Sequence, residues 1–357
     1  MTGKSNANDG TRLLVTAASL VIIIVGINHA EPVLASLLVA LFLSVLGTPP
    51  VLWLEGKRVP SIVSVVIVVA GMITILLIVG AIVGTSVNGF SAALPAYQTR
   101  LRDHLAALNE FLTTLNIGGI DRVLLGYVKP EEVMKLTVGM LAGLGSTLSN
   151  IVLILLTVTF MLFEASSFPV KIRAVIGDPR KAFPQVTRFV NDIKRYMVIK
   201  TLISLATGVL IWIWLSILGV DFPILWGFLA FLLHYVPNIG FIIAAVPAVL
   251  LTFIQLGTST AALAVAGYLI VDLLVGNMFE TKLMGRRLGL STLTVFLSLI
   301  FWGSLLGPVG MVLCIPLTMT LKFACENNTG TEWIAVLLGP ETPTENITSE
   351  SKRDKDA

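Results

Sequence analysis

Along most of this chain, apolar runs long enough to cross a bilayer alternate with short polar breaks. Leu13–Ile27, Val33–Leu54, Ser61–Val87, Leu148–Phe163, Thr201–Leu218 and Thr260–Phe279 predict six membrane-spanning helices. Two further runs are broken in the middle. Phe222–Phe253 is interrupted by Pro237-Asn238-Ile239-Gly240 and carries Pro247; Leu290–Lys322 is interrupted by Gly307-Pro308-Val309-Gly310 and carries Pro316. Each has a Trp-Gly step before its break, Trp226-Gly227 and Trp302-Gly303. A break exposes backbone N–H and C=O groups that lipid cannot satisfy, so protein or a water-filled cavity has to cover it. Corresponding broken segments are a sequence pointer to the substrate site of a secondary transporter.

Arm length sets the expected geometry. Phe222–Val236 is 15 residues, about 22 Å as a helix, and Met311–Leu321 is shorter, whereas a crossing needs about 20 residues. The expectation is therefore two re-entrant hairpins, with arms that both span as the open alternative. The fold class is an all-α polytopic integral membrane protein with about six full spans plus two Pro/Gly-broken helical hairpins.

The stretch 88–148 departs from this pattern. Five basic residues balance five acidic ones, and Tyr97, Leu101, Leu105, Leu108, Leu112 and Leu115 recur at helical spacing. A small helical insert on one membrane face is expected. Residues 165–200 carry eight basic side chains, with Phe183, Val186, Phe189, Val190, Ile193, Tyr196 and Met197 at helical spacing. Such a helix either lies at the headgroups or packs on protein. The organisation expected is 1–87 as three spans, 88–148 as an extracytoplasmic insert, 149–338 as the transport region containing the basic linker 165–200, and 339–357 as a polar, disordered tail.

Charge then assigns sides. Of the 24 Lys and Arg residues, five lie in the insert; the other 19 fall on one side if the N-terminus is cytoplasmic and each full span crosses once. Both termini are therefore expected in the cytoplasm. The hairpins then enter from opposite faces, an inverted pair with tips expected near mid-membrane. A cleaved signal sequence is the competing reading of the first run, but His29-Ala30-Glu31-Pro32 leads straight into another apolar run.

With only 13% charged residues and 55% hydrophobic ones, a soluble enzyme domain is excluded. Nucleotide-loop, HExxH, GxSxG and metal-ligand patterns are absent from the sequence, so no cofactor, metal or catalytic residue is expected. Cys314 and Cys325 read as small apolar packing residues. The basic linker lacks the aromatic interleaving suited to nucleic acid.

The polar groups within apolar runs are the candidate chemistry, because a charge at bilayer depth is costly and so a functional hypothesis by default. Asp272, Asn277 and Glu280 lie in the sixth span, with Asn277 and Glu280, three apart, sharing a face. Asn238 sits at the first break and His234 one helical turn before it. Asp272 could bind a proton or cation or accept from a polar solute; a structural hydrogen bond is the plain alternative. Lys282 and Arg286 give Glu280 a plain alternative too, Asn238 could be a turn residue, and His234 a packing residue. Pro237, Gly240, Gly307, Pro308 and Gly310 form the expected tips, whose freed N–H groups could serve a solute. Small-xxx-small pairs such as Gly80/Gly84 are common in apolar sequence and carry little weight.

These same residues carry a resemblance. Tyr235-Val236-Pro237-Asn238-Ile239-Gly240, Gly276-Asn277-Met278-Phe279-Glu280, Gly289-Leu290-Ser291-Thr292-Leu293 and Phe296 through Gly310 resemble the autoinducer-2 exporter family, and the likeness runs from the first span to Leu338. The resemblance implies a bacterial inner-membrane protein exporting the quorum-sensing signal autoinducer-2, working as a homo-oligomer. Other members of that family act as sodium(lithium)/proton antiporters, so a monovalent cation and a proton are the alternative cargo. A membrane scaffold that transports nothing is the third reading. The expected partners are the lipid bilayer and a small polar solute, with no nucleic acid.

Overall fold

The computed structural model describes residues 24–114, 151–176, 184–237, 239–280, 289–327 and 330–340, with scattered positions before 24. The described residues are helical, with no strand among them. Most of the first span, the insert after Thr114, part of the basic linker, Asn238, the 281–288 cluster and the tail lie outside the described residues. The chain divides into two compact units, Val33–Leu283 and Met1–Pro32 with Met284–Ala357.

Helix α1 (Glu31–Gly56) starts with Pro32 in its first turn, where a missing N–H costs nothing. In the larger unit it meets α2 (Ser61–Thr114) and α3 (Ile151–Ile176) through Ala40, Val51, Val65, Val69, Ile154, Val158 and Leu162. Gly47 sits beneath Met72 and Leu162 and permits the close approach. The outward faces are apolar instead of polar: Ile62, Ile75 and Leu77 are two-thirds exposed. Meanwhile Ser36, Ser44, Ser64, Ser204, Thr207 and Thr252 point inward. An apolar exterior over a partly polar interior is what lipid selects, and the chain is a multi-pass membrane protein.

Two helices run further than the sequence pattern suggested. Helix α2 continues unbroken through Val87 to Thr114, 54 residues, so the insert begins as an extension of the third span. The lone Pro95 removes one helical donor and is not enough to end a helix this long. Likewise α4 (Pro184–Leu218) joins the amphipathic linker and the fifth span in one 35-residue helix. Its buried stripe, Tyr196, Met197, Lys200, Ile203, Ser204, Thr207, Gly208, Ile211 and Leu215, keeps one phase across the junction. The linker's last turns therefore pack on protein.

The first broken segment is a hairpin. Helix α5 (Pro223–Leu233) enters, and α6 (Gly240–Leu256) returns against it. Polar bonds close its base: Asp221 N–H donates to Gln255 Oε1 at 2.9 Å, and Gln255 Nε2 donates to the Gly219 carbonyl at 3.2 Å. Helices of 11 and 17 residues are about 16 and 25 Å long, short of a hydrocarbon core of about 30 Å. Arm length thus favours the re-entrant form. The Tyr235 hydroxyl bonds that of Thr201 at 2.8 Å. The tip therefore lies beside Thr201 of α4.

Aromatic packing secures the base. The Phe90 ring on α2 meets Trp226 at 5.8 Å and Phe222 at 6.1 Å, both edge-on. Trp226, fully buried, donates its indole N–H to the Asp221 carbonyl at 3.0 Å. Tyr97 donates its hydroxyl to Asp221 Oδ2 at 2.6 Å. Tyr97→Phe should cost about 1.5–3 kcal/mol, the worth of a hydrogen bond to a charged group. A drop in the thermal unfolding midpoint of the purified protein checks it; an unchanged midpoint would place the hold on the rings alone.

Helix α7 (Thr258–Val271) belongs to the larger unit. In the smaller unit, α8 (Thr292–Glu326) carries the second break. Its helical geometry fails at Leu306 (φ −125°, ψ 15°) and Gly307 (φ 58°, ψ −146°). Trp302 Nε1 donates to Thr318 Oγ1 at 3.0 Å. Residues sixteen apart in a straight helix would be about 24 Å apart, so the chain doubles back here. Lys322 Nζ closes the base on the Gly289 carbonyl at 2.6 Å. Although α8 has the length and hydropathy of a span, it is therefore a second hairpin. The short helix α9 (Glu332–Leu338) packs on it, and the Leu338 carbonyl accepts from Ser291 N–H.

Candidate functional site

The two tips are built alike, each within its own unit. In the first, a Cβ placed on Gly240 would overlap the Leu233 carbonyl and stand 2.9 Å from Val236 Cβ. In the second, a Cβ on Gly310 would overlap the Trp302 carbonyl and stand 2.9 Å from Leu306 Cβ. Each glycine thus seats the returning arm on a carbonyl of the entering arm seven or eight residues back. Trp-Gly recurs with a related purpose: Gly227 backs onto Gly208 of α4, and Gly303 onto Met311.

Gly307 makes the second turn. Its φ of 58° with ψ of −146° is a conformation that side chains rarely adopt. A Cβ there would also stand 2.8 Å from Glu31 Oε1. Glu31, at the start of α1, therefore brings a carboxylate to this tip; the sequence pattern showed it only as part of a short polar link. Pro308 opens the returning arm.

At the first tip, His234 and Tyr235 are buried and Pro237 is half-buried. Tyr235 is held by the Thr201 hydroxyl and by edge contacts with Phe42 and Phe231, each at 5.7 Å. Lys200 is 4% exposed, although its sequence position groups it with the solvated linker. The stripe of α4 was the available signal, since Lys200 shares its phase with Ser204 and Gly208.

Helix α7 (Thr258–Val271) packs on α4 and α6, with the Trp214 indole N–H donating to the Leu263 carbonyl at 3.1 Å. At Asp272 the winding changes, and Asp272–Glu280 is π-helical. This revises the expected face. Bonds from i to i+5 stack positions five apart, so 272 and 277 come into adjacent turns, whereas an α-helix would have aligned 277 with 280. The Asp272 carboxylate is half-buried and leans along the helix, Oδ1 lying 3.3 Å from a Cβ built on Gly276. The side chains of Asn277 and Glu280 lie outside the described residues. π-Helical turns concentrate at functional sites. The structure thus sets the tip residue Tyr235 against Thr201, next to Lys200 on α4, and places Asp272 on a rewound helix packed against α4. Among the described residues, no group of three His, Cys, Asp or Glu could hold a metal.

Against known proteins, residues 15–329 match the family described as AI-2E family transporter. The chain is 39% identical over 330 residues to the AI-2 transport protein TqsA of Escherichia coli strain K12, covering 92% of this chain and 96% of that protein. It is 38% identical over 334 residues to YhhT of the same strain, covering 94% and 96%. A Haemophilus influenzae protein is 34% identical over 334 residues, covering 92% and 96%.

Proposed function

This chain belongs to the AI-2E transporter family, and on that premise we propose that it exports autoinducer-2 as a secondary transporter or facilitator. The observation that carries the reading is the pair of closed hairpins, each turning at a glycine pressed against a carbonyl of its own first arm. Broken helices give backbone donors and acceptors within the membrane, which a small polar solute uses and lipid does not. The name of the similar TqsA protein supplies the solute.

In this reading Asn238, His234, Asp272, Asn277 and Glu280 line or gate the path, while Pro237, Gly240, Gly307, Pro308 and Gly310 shape the tips. The protein works in the bacterial cytoplasmic membrane as a homo-oligomer. Both termini and the basic linker face the cytoplasm, following the positive-inside distribution of charge. The 88–148 insert is extracytoplasmic.

Reconstituted protein tests this. Liposomes preloaded with autoinducer-2 should release it faster than empty-membrane controls, without sodium or lithium dissipating an imposed pH gradient. Release at the control rate contradicts the proposal. Cation-dependent gradient loss that vanishes in Asp272→Asn would establish the antiporter in its place.

A further inference from the structure

The inner stripe of α4 carries polar groups that packing alone does not require. Lys200 is 4% exposed and lies on the stripe one helical turn before Ser204, which is fully buried. Thr207, next on the stripe, satisfies its hydroxyl on the Ile203 carbonyl at 3.0 Å. Ser204 does not: its Oγ is buried without a hydrogen-bond partner. The first hairpin's tip faces this end of α4, since Tyr235 bonds Thr201, the residue next to Lys200. A second unpartnered buried hydroxyl, Tyr268, lies on α7, which packs on the same helix. Polar groups buried this way are costly in a folded protein unless something pairs with them.

We propose that Lys200 and Ser204, facing the first hairpin's tip, form the solute-recognition surface, and that it takes small solutes rich in hydroxyl or carbonyl oxygens. This rests on the transport reading above and names the chemistry of its site. An ammonium has three donors, so Lys200 holds an acceptor of the protein and still donates to a solute oxygen. Ser204 donates or accepts beside it.

The test is flux through the reconstituted full chain, read together with thermal unfolding. Lys200→Met should raise the half-saturation concentration for autoinducer-2 by about tenfold or more, the loss expected for one charged hydrogen bond, and Lys200→Arg should recover part of it. Ser204→Ala should lower flux while leaving the unfolding midpoint unchanged or raised, because the hydroxyl it removes has no partner in the folded protein. A wild-type half-saturation in both Lys200→Met and Ser204→Ala overturns the site. So does a Ser204→Ala protein whose midpoint falls with its flux, since the hydroxyl would then be structural. Wild-type liposomes that pass no autoinducer-2 contradict the solute proposed above and not this surface. The same variants are then read with glycerol and ribose as probes. Uptake of both probes unaltered by the substitutions, or no wild-type uptake of either, overturns it.

Discussion

Alanine at Gly240 or at Gly310 is expected to reduce transport roughly tenfold or more, an effect of at least about 1.4 kcal/mol on the working conformation, while the protein still inserts. Membrane insertion depends on the apolar runs, which a methyl group does not change. The tip does change. At both positions the new Cβ would overlap a main-chain carbonyl, Leu233 in one hairpin and Trp302 in the other. A flexible side chain could swing away from such a clash, but a carbonyl inside a helix moves only with its helix. The returning arm must shift, and the backbone groups at the turn shift with it. Flux and membrane content measured on the same vesicles separate the outcomes: wild-type flux in both variants would remove the tips from the mechanism.

The second large effect lies where α4 crosses α5. A Cβ on Gly208 would stand 2.7 Å from the Gly227 carbonyl, and a Cβ on Gly227 would stand 2.7 Å from the Gly208 carbonyl. The contact is reciprocal, backbone on backbone, the kind of approach that small residues permit between membrane helices. Valine at either position cannot be absorbed by a rotamer change. Overpacking of this kind costs about 1–3 kcal/mol. Gly227→Val should therefore lower the thermal unfolding midpoint of the purified protein by several degrees, roughly as the size scaling of unfolding predicts, and carry transport down with it. Gly80→Val is the control, because nothing lies within 4 Å of a Cβ there. Equal midpoints for the two variants would show that the α4–α5 crossing relaxes freely.

That contrast also shows what the sequence could and could not convey. Gly80/Gly84 has the small-xxx-small spacing and meets open space, whereas Gly208 and Gly227 lie on different helices and their contact is purely tertiary. The hairpins were legible because Pro and Gly inside apolar runs have few other uses, and because the arms are shorter than the usual spanning length. Charge placed the linker on one side but said nothing of helix continuity, so α4 passing unbroken through Lys200 was not anticipated. Nor was the π winding after Val271, since it is a change of hydrogen-bond register and leaves no mark on hydrophobicity. Glu31 was read as part of a link because its partner, the Gly307 turn, is remote in sequence. Lys200 was the one missed residue with a local signal, its phase with Ser204 and Gly208.

The central claim is that the first hairpin's tip lines the solute path, and a single cysteine tests it most directly. Pro237→Cys, with the buried Cys314 and Cys325 replaced by serine, places a thiol at the half-buried tip. Its reaction with a membrane-impermeant maleimide is timed in right-side-out and everted vesicles, with and without autoinducer-2. The account predicts labelling through water from at least one side, slowed when the solute is present. A thiol that never labels, or that labels at the same rate with and without solute in protein that still transports, contradicts it.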